Sequence, residues 1–355
     1  MLTTTTADIL GKVLDGGRID GEEALELYRS GNLLAMGSVA HRLRMSKADP
    51  ARITYIVDRN INYTNVCIAR CRFCAFWRPP DDPEAYLLPW EVLADKIEET
   101  LSLGGVQILL QGGLHPHLNL DYYEGLLRRI KAVTPIHVHG FSPPEVIHLA
   151  RQSGLRIPEV LRRLQEAGLD TIPGGGAEVL SDRVRMEISP LKCTTSEWLK
   201  VMEEAHRLGM RTTATMMFGH RETLEERIEH LLRVRELQDR TGGFTAFIPW
   251  PFQPRNTALG GRPASAPEYL KTLALSRIVL DNFVNLQSSW VTQGPEVGQL
   301  ALLFGANDLG STMIEENVVR AAGVSHSLPE EEIRRLISDL RFTPCRRNTF
   351  YEILP

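Results

Sequence analysis

No apolar run in this chain approaches the ~20 residues that a membrane-crossing helix needs, so no membrane partner is expected. The amino terminus, MLTTTTADILGKVLDGG, lacks a basic stretch followed by an apolar core, so a secretory leader is not expected either. Charge of neither sign dominates: 40 Lys and Arg against 44 Asp and Glu leave a net −4, with a pI near 6.2. That balance offers no general electrostatic grip on nucleic acid. Cysteine is scarce, with five in 355 residues, yet three of the five are Cys67, Cys71 and Cys74. Without a leader, cysteines so clustered point to metal binding or catalysis in a reducing cytoplasm, where disulfides are rare.

Internal repeats, low-complexity segments and linkers are also missing, which favours one compact domain with terminal additions. The first ~50 residues read as polar helices, with an acidic first turn and a glycine stop in IDGEEALELYRSG. RITYIVDRNINYT then predicts one or two strands running into the cysteine loop. Strands are expected at VQILLQGG, IHVHGF, LDTIPGGG, TTATMMFG, FTAFIPW and FVNLQSSW, with helices between them; LALLFGAND supplies a last strand or a helix end. About 30 residues per strand-helix unit suits a parallel TIM-type (β/α) barrel, with an open doubly wound sheet as the competitor. Polar or glycine-rich clusters follow nearly every strand (QGG, GFSP, PGGG, FGH, PWPF), and in a barrel such loops converge on one face. The expected divisions are a helical extension over 1–50, the barrel over 51–309, and a C-terminal helical segment over 310–355 that packs back through its apolar tail, YEIL.

The stretch NVCIARCRFCAF spaces its thiols as C-x3-C-x2-C, with Phe73 before the last. A structural zinc site needs four ligands and more often shows two C-x2-C pairs; the second pair is absent. Three thiolates on a 4Fe–4S cube leave one iron open to a small ligand. The amine and carboxylate of S-adenosylmethionine can fill that position, and a reduced cluster can then cleave the sulfonium to a 5′-deoxyadenosyl radical. Zinc with a fourth ligand from elsewhere remains the alternative. Cys193 and Cys345 have no partners at meaningful spacing and read as small buried or half-exposed hydrophobes.

This motif, in the loop after the first barrel strand, resembles the radical S-adenosylmethionine superfamily. The resemblance implies further cofactor contacts. Gln111, Gly112 and Gly113 resemble the glycine-rich turn that meets the methionyl amine, although Leu114 stands where an acidic residue often follows. Gly219 and Glu222 in TATMMFGHRE resemble a strand end near the adenine, and FIPWPFQPRNT resembles a strand whose backbone faces it. His139, which shares a strand face with His137, and Ser142 are further candidates for cofactor contact. Ser142 reads equally as a helix N-cap.

NYTNVC, PGGGAEVLSDRVR, GGFTAFIPWPFQPRNT, QSSWVTQGP and FGANDLGSTMIEENVVRAAG resemble the menaquinone-futalosine and deazaflavin branch of that superfamily, over most of the chain from Asn60 onward. The likeness implies cyclisation of dehypoxanthine futalosine as the small-molecule substrate. The radical would take hydrogen from ribose C4′, and the ring would close onto the benzoate. It also implies an electron donor such as flavodoxin or ferredoxin. Aminofutalosine synthesis and deazaflavin-type coupling are the alternatives within the branch. A benzoate carboxylate wants a forked cation, for which Arg78, Arg185 and Arg255 follow expected strand ends. Glu178, after three glycines, is the candidate for a hydroxyl, or else a first-turn helix carboxylate. His220 is a candidate proton acceptor. Trp250 and Trp290 are candidates to wall off a radical. His115 and His117 sit in a polar loop as a weak metal pair, and Met216 and Met217 read as core.

Overall fold

In the computed structural model, which describes residues 5–324 and 326–355, alternating strands and helices build a parallel barrel. Its strands are β1 (Arg52–Ile56), β2 (Asp58–Asn62), β3 (Gln107–Gln111), β4 (His137–Gly140) and β5 (Thr171–Ile172). They continue as β6 (Arg211–Phe218), β7 (Phe244–Pro251), β8 (Asn285–Leu286), β9 (Asp308–Ser311) and β10 (Thr343–Arg346). Strands β2 to β8 form one parallel sheet in chain order, the arrangement that helical crossovers enforce. A second parallel sheet has the order β10-β1-β9.

The two sheets are one ring interrupted at Val57, where β1 bends into β2. Gln287 bridges to Asp308, and Ser288 N–H donates to the Asp308 carbonyl at 2.9 Å. On the other side of β9, Thr312 N–H donates to the Ile56 carbonyl at 2.9 Å and Ile314 N–H to that of Asp58 at 3.2 Å. Strand β9 therefore fills the position between β8 and the β1–β2 strand. The expected strand at FVNLQSSW is reduced to Asn285–Leu286; beyond it Ser288 still donates its N–H to β9, while its hydroxyl bonds the Gly298 carbonyl and the Ser289 and Thr292 hydroxyls bond each other. Helix Trp90–Ser102, which the sequence pattern did not predict, and helix Asp182–Ile188, which starts later than the expected AEVLSDRV, complete the outer layer.

The N-terminal segment forms helices Thr6–Leu14, Gly21–Ser30 and Leu33–Lys47, while the first four residues of MLTTTT lie outside the described residues. Thr5 with Asp8 and Asp20 with Glu23 make capping boxes, each satisfying backbone donors that a helix start leaves orphaned. Such a cap is worth about 1 kcal/mol. The segment 310–355 holds helix Glu330–Asp339, and it also supplies β10, which adds to β1. It then turns beneath the barrel. Arg347 forms a forked ion pair with Asp308 (2.6 and 3.0 Å), covers the Tyr351 ring at 3.8 Å, and Thr349 bonds Gln107 at 2.6 Å. These polar groups close the floor, whereas Ile353 of the apolar tail stays exposed.

Candidate active site

The loop that leaves β2 carries the three clustered cysteines and is pinned along its main chain. Cys67 N–H donates to Arg78 O at 3.0 Å, Ile68 N–H to Leu114 O at 3.0 Å and Arg72 N–H to Ile188 O at 2.8 Å. All three thiols are free, and Leu114 N–H points at Cys67 Sγ from 3.3 Å. Among the described residues, no three His, Cys, Asp or Glu side chains converge as a single metal ion requires. The three thiols pack together with Phe73 and Leu114, and three thiolates on one loop can each hold one iron of a 4Fe–4S cube. Burial pushes the Cys71 thiol up to about 12 and raises that of Cys74, so thiolates there need a cation such as iron beside them.

A half-buried cation that no motif marks stands next to this loop. Lys192 Nζ lies 2.9 Å from Glu178 Oε1 and 5.1 Å over the Phe73 ring. Burial opposes its charge, yet Glu178 and the Cys71 thiol hold its pKa above the ordinary lysine value. Glu178 precedes helix Asp182–Ile188 instead of starting it, and adopts the left-handed backbone at φ 43°. Its Oε2 has no hydrogen-bond partner, an acceptor left open in a buried place. Arg185 does not offer its fork to a ligand. Its guanidinium donates to the carbonyls of Cys193 (2.8 and 2.6 Å), Ala177 (2.7 Å) and Gly176 (3.1 Å), and so fixes the loop that presents Glu178.

The Gly112–Gly113 turn ends β3 against the same loop. A Cβ on Gly112 would lie 2.4 Å from the Tyr63 ring, and one on Gly113 only 2.2 Å from the Val66 carbonyl oxygen, so neither position admits a side chain. Glu145 holds the turn from behind. It accepts bonds from Gly112 N–H (3.2 Å), the Tyr63 hydroxyl (2.7 Å) and the Ser142 hydroxyl (2.6 Å). Burial pushes its carboxyl up to about 7 against the pull of those three donors. Ser142 occupies the N-cap position of helix Pro143–Ser153, with its hydroxyl turned to Glu145. Gln111 stands at the cavity wall, its amide 3.4 Å from the Phe141 carbonyl.

Gly219 takes φ 84° at the end of β6, and Glu222 folds back to accept Gly219 N–H (2.6 Å) and His220 N–H (3.0 Å). Arg227 ties Glu222 (2.6 Å) to Tyr28 of the N-terminal helices (2.6 Å). The His220 ring is spent on its own turn: Nε2 meets the Met217 carbonyl at 2.9 Å and Nδ1 accepts Arg221 N–H at 2.7 Å. Arg78 also faces its own loop, bonding Glu84 at 2.8 Å and the carbonyls of Ala75 and Trp77 at 3.0 Å. Arg255 is exposed.

Inside the ring lies a cavity of about 300 Å³ walled by Gln111, Thr213, Thr215, Trp250, Ser289 and Trp290, among others. His139 reaches it while His137 does not, and both imidazoles bond the Thr171 hydroxyl at 2.7 Å. Burial, then His137 and Arg347, depress His139 to about 3, so it is neutral near pH 7. The structure thus gathers Cys67, Cys71, Cys74, Phe73, Glu178 and the Gly112–Gly113 turn at one rim, and Gln111, His139 and Trp250 along the cavity. Arg78, Arg185 and His220 are turned into their own loops. Tyr63, Glu145, Lys192 and Glu316 were not singled out from the sequence, because none sits in a repeating pattern, although Lys192 directly precedes Cys193, Tyr63 lies four residues before Cys67 and Glu145 follows Ser142 by three.

Comparison with known proteins gives the following. Residues 61–234 match the radical SAM superfamily, and residues 241–355 match the CofH/MqnC C-terminal region. The cyclic dehypoxanthine futalosine synthase of Halalkalibacterium halodurans is 48% identical over 98% of this chain and 94% of its own. The 5-amino-6-(D-ribitylamino)uracil–L-tyrosine 4-hydroxyphenyl transferase of Methanopyrus kandleri is 44% identical over 88% of this chain and 87% of its own. Among solved structures, the FeFe-hydrogenase maturase HydG from Carboxydothermus hydrogenoformans superposes with a TM-score of 0.77 at 18% identity. That match covers 98% of this chain and 80% of HydG, and it supports the fold.

Proposed function

We propose, for a chain that belongs to the radical S-adenosylmethionine superfamily, that it cyclises dehypoxanthine futalosine in menaquinone biosynthesis. The observation that carries this reading is the thiol loop at the rim of a barrel cavity of about 300 Å³, in a chain 48% identical over 98% of its length to a synthase of that product. The transferase likeness, at 44% identity, keeps deazaflavin-type coupling as the second reading.

A 4Fe–4S cluster with S-adenosylmethionine supplies a 5′-deoxyadenosyl radical. Cys67, Cys71 and Cys74 hold the cluster, and Phe73 shields it on the side of Lys192. The Gly112–Gly113 turn brings bare backbone to the methionyl end, fixed from behind by Glu145. Glu178 offers Oε2, which accepts no hydrogen bond, to a hydroxyl, and Lys192 neutralises a carboxylate at the same rim. Glu222 shapes the Gly219 turn for the nucleoside end. His139 and Trp250 line the cavity that takes the substrate, with Trp250 excluding water from a carbon radical. Electrons come from a small donor protein of the flavodoxin or ferredoxin kind, in the cytoplasm.

Reduced, iron-loaded protein is incubated anaerobically with S-adenosylmethionine and dehypoxanthine futalosine, and the products are weighed. A product two hydrogens lighter than the substrate, formed together with 5′-deoxyadenosine, is expected. A coupled product from tyrosine and the ribityl uracil instead would establish the second reading.

A further inference from the structure

Closing a carbon radical onto an aromatic ring forms one C–C bond and leaves the ring one electron and one proton in excess of aromaticity. The proton leaves inside the cavity that holds the ring, where the acceptor at hand is a side chain lining it. Five ionisable side chains line the cavity among the described residues: Asp58, His139, Glu316, Arg347 and Tyr351. Four are committed elsewhere. Arg347 is paired with Asp308 and carries its proton, and Tyr351 lies under that guanidinium. Asp58 opens β2 at the floor, the end of the cavity away from the cysteine loop, where Gln107 and Ser311 each donate to one of its oxygens. His139 Nδ1 is bonded to Thr171, and its burial leaves it a weak base.

From this geometry we infer that Glu316 takes the ring proton. It stands in the loop after β9, half-buried, with its remaining surface on the cavity beside Trp250 and Met313. Its two oxygens accept one bond each, Oε2 from Asn60 Nδ2 at 3.0 Å and Oε1 from Val319 N–H at 2.8 Å, which leaves lone pairs on both. Neither donor is a cation. The nearest counter-charges, Arg59 and Lys96, go to its neighbour Glu315 (3.5 and 2.6 Å). Burial, with Glu315 adding to it, raises the carboxyl above its ordinary value, as suits a group that must accept a proton near neutral pH. The step balances: the ring C–H bond breaks, its proton goes to Glu316, and one electron goes to an oxidised iron–sulfur centre.

This role rests on the cyclase reading, and the test separates the two. Glu316→Gln keeps an acceptor for Val319 N–H and the shape of the side chain, and removes the basicity together with the acceptor opposite Asn60 Nδ2. Wild type and variant are incubated with substrate protonated or deuterated at the ring carbon that closes, and cyclised product and 5′-deoxyadenosine are counted. Expected for the variant is 5′-deoxyadenosine at close to the wild-type rate, with cyclised product per 5′-deoxyadenosine down by about 10²-fold, the scale of a lost general base. A ring-deuterium isotope effect on product formation, absent in the wild type, should emerge. A product ratio equal to wild type, or a lowered ratio without that isotope effect, overturns the role of Glu316 alone. No cyclised product from the wild type overturns the cyclase reading and this role together.

Discussion

The rim and the cavity of this barrel are built in opposite ways. At the rim, a contiguous loop supplies three thiols, and glycines bring bare backbone close: Gly113 tolerates no Cβ because Val66 O would lie 2.2 Å away. Along the cavity, almost every strand contributes a side chain, mostly neutral amides and hydroxyls, with Trp250 as the large apolar wall. A cofactor that generates the same radical each time can be held by short local motifs. A particular substrate has to be recognised by side chains that only the closed ring brings together.

The contrast breaks most severely at the thiols. Cys71→Ala is expected to lose the brown 4Fe–4S absorption and all cleavage of S-adenosylmethionine. Its thermal midpoint should stay near that of the cluster-free wild type. Cleavage persisting in this variant would sink the cluster assignment. Gly113→Ala comes next: the clash is with backbone that cannot turn aside, so cofactor cleavage should fall by about 10²-fold with the cluster spectrum retained. Cleavage at the wild-type rate would show that the turn does not meet the cofactor.

Trp250→Ala sharpens the other side. Cleavage of S-adenosylmethionine should continue while cyclised product falls by about tenfold, because only substrate orientation and water exclusion change. Equal loss of both would place Trp250 at the cofactor. The smallest effect is one of stability at Glu145. Its carboxyl keeps its proton in the fold up to about pH 7 but ionises near 4.5 in the unfolded chain. Wild-type stability should therefore fall as pH rises from about 4.5 to about 7 and level off above, by about 3 kcal/mol at most. Glu145→Gln should flatten that slope in denaturant titrations; an unchanged slope would assign it to other groups.

The same division decides what was legible in the sequence. The barrel was, because apolar strands and helix caps recur along the chain, and helix Leu120–Val133 falls where its pattern places it. Cys67, Cys71 and Cys74 were legible because their chemistry is written in their spacing. Arg185 was read as a forked ligand, yet it spends its fork on four hydrogen bonds to three carbonyls; nothing in PGGGAEVLSDRVR distinguishes an arginine that binds backbone from one that binds substrate. Glu316 was invisible for the converse reason. Its partner Asn60 and the Trp250 wall of the same cavity come from distant parts of the chain, and only ring closure makes a lone carboxyl there noteworthy.

The most direct test of the account is the fate of one hydrogen. Dehypoxanthine futalosine deuterated at ribose C4′ is turned over by the reduced, cluster-loaded enzyme, and the 5′-deoxyadenosine is weighed. The account predicts one deuterium in the 5′-deoxyadenosine and its loss from the cyclised product. Cyclised product accompanied by unlabelled 5′-deoxyadenosine would contradict it.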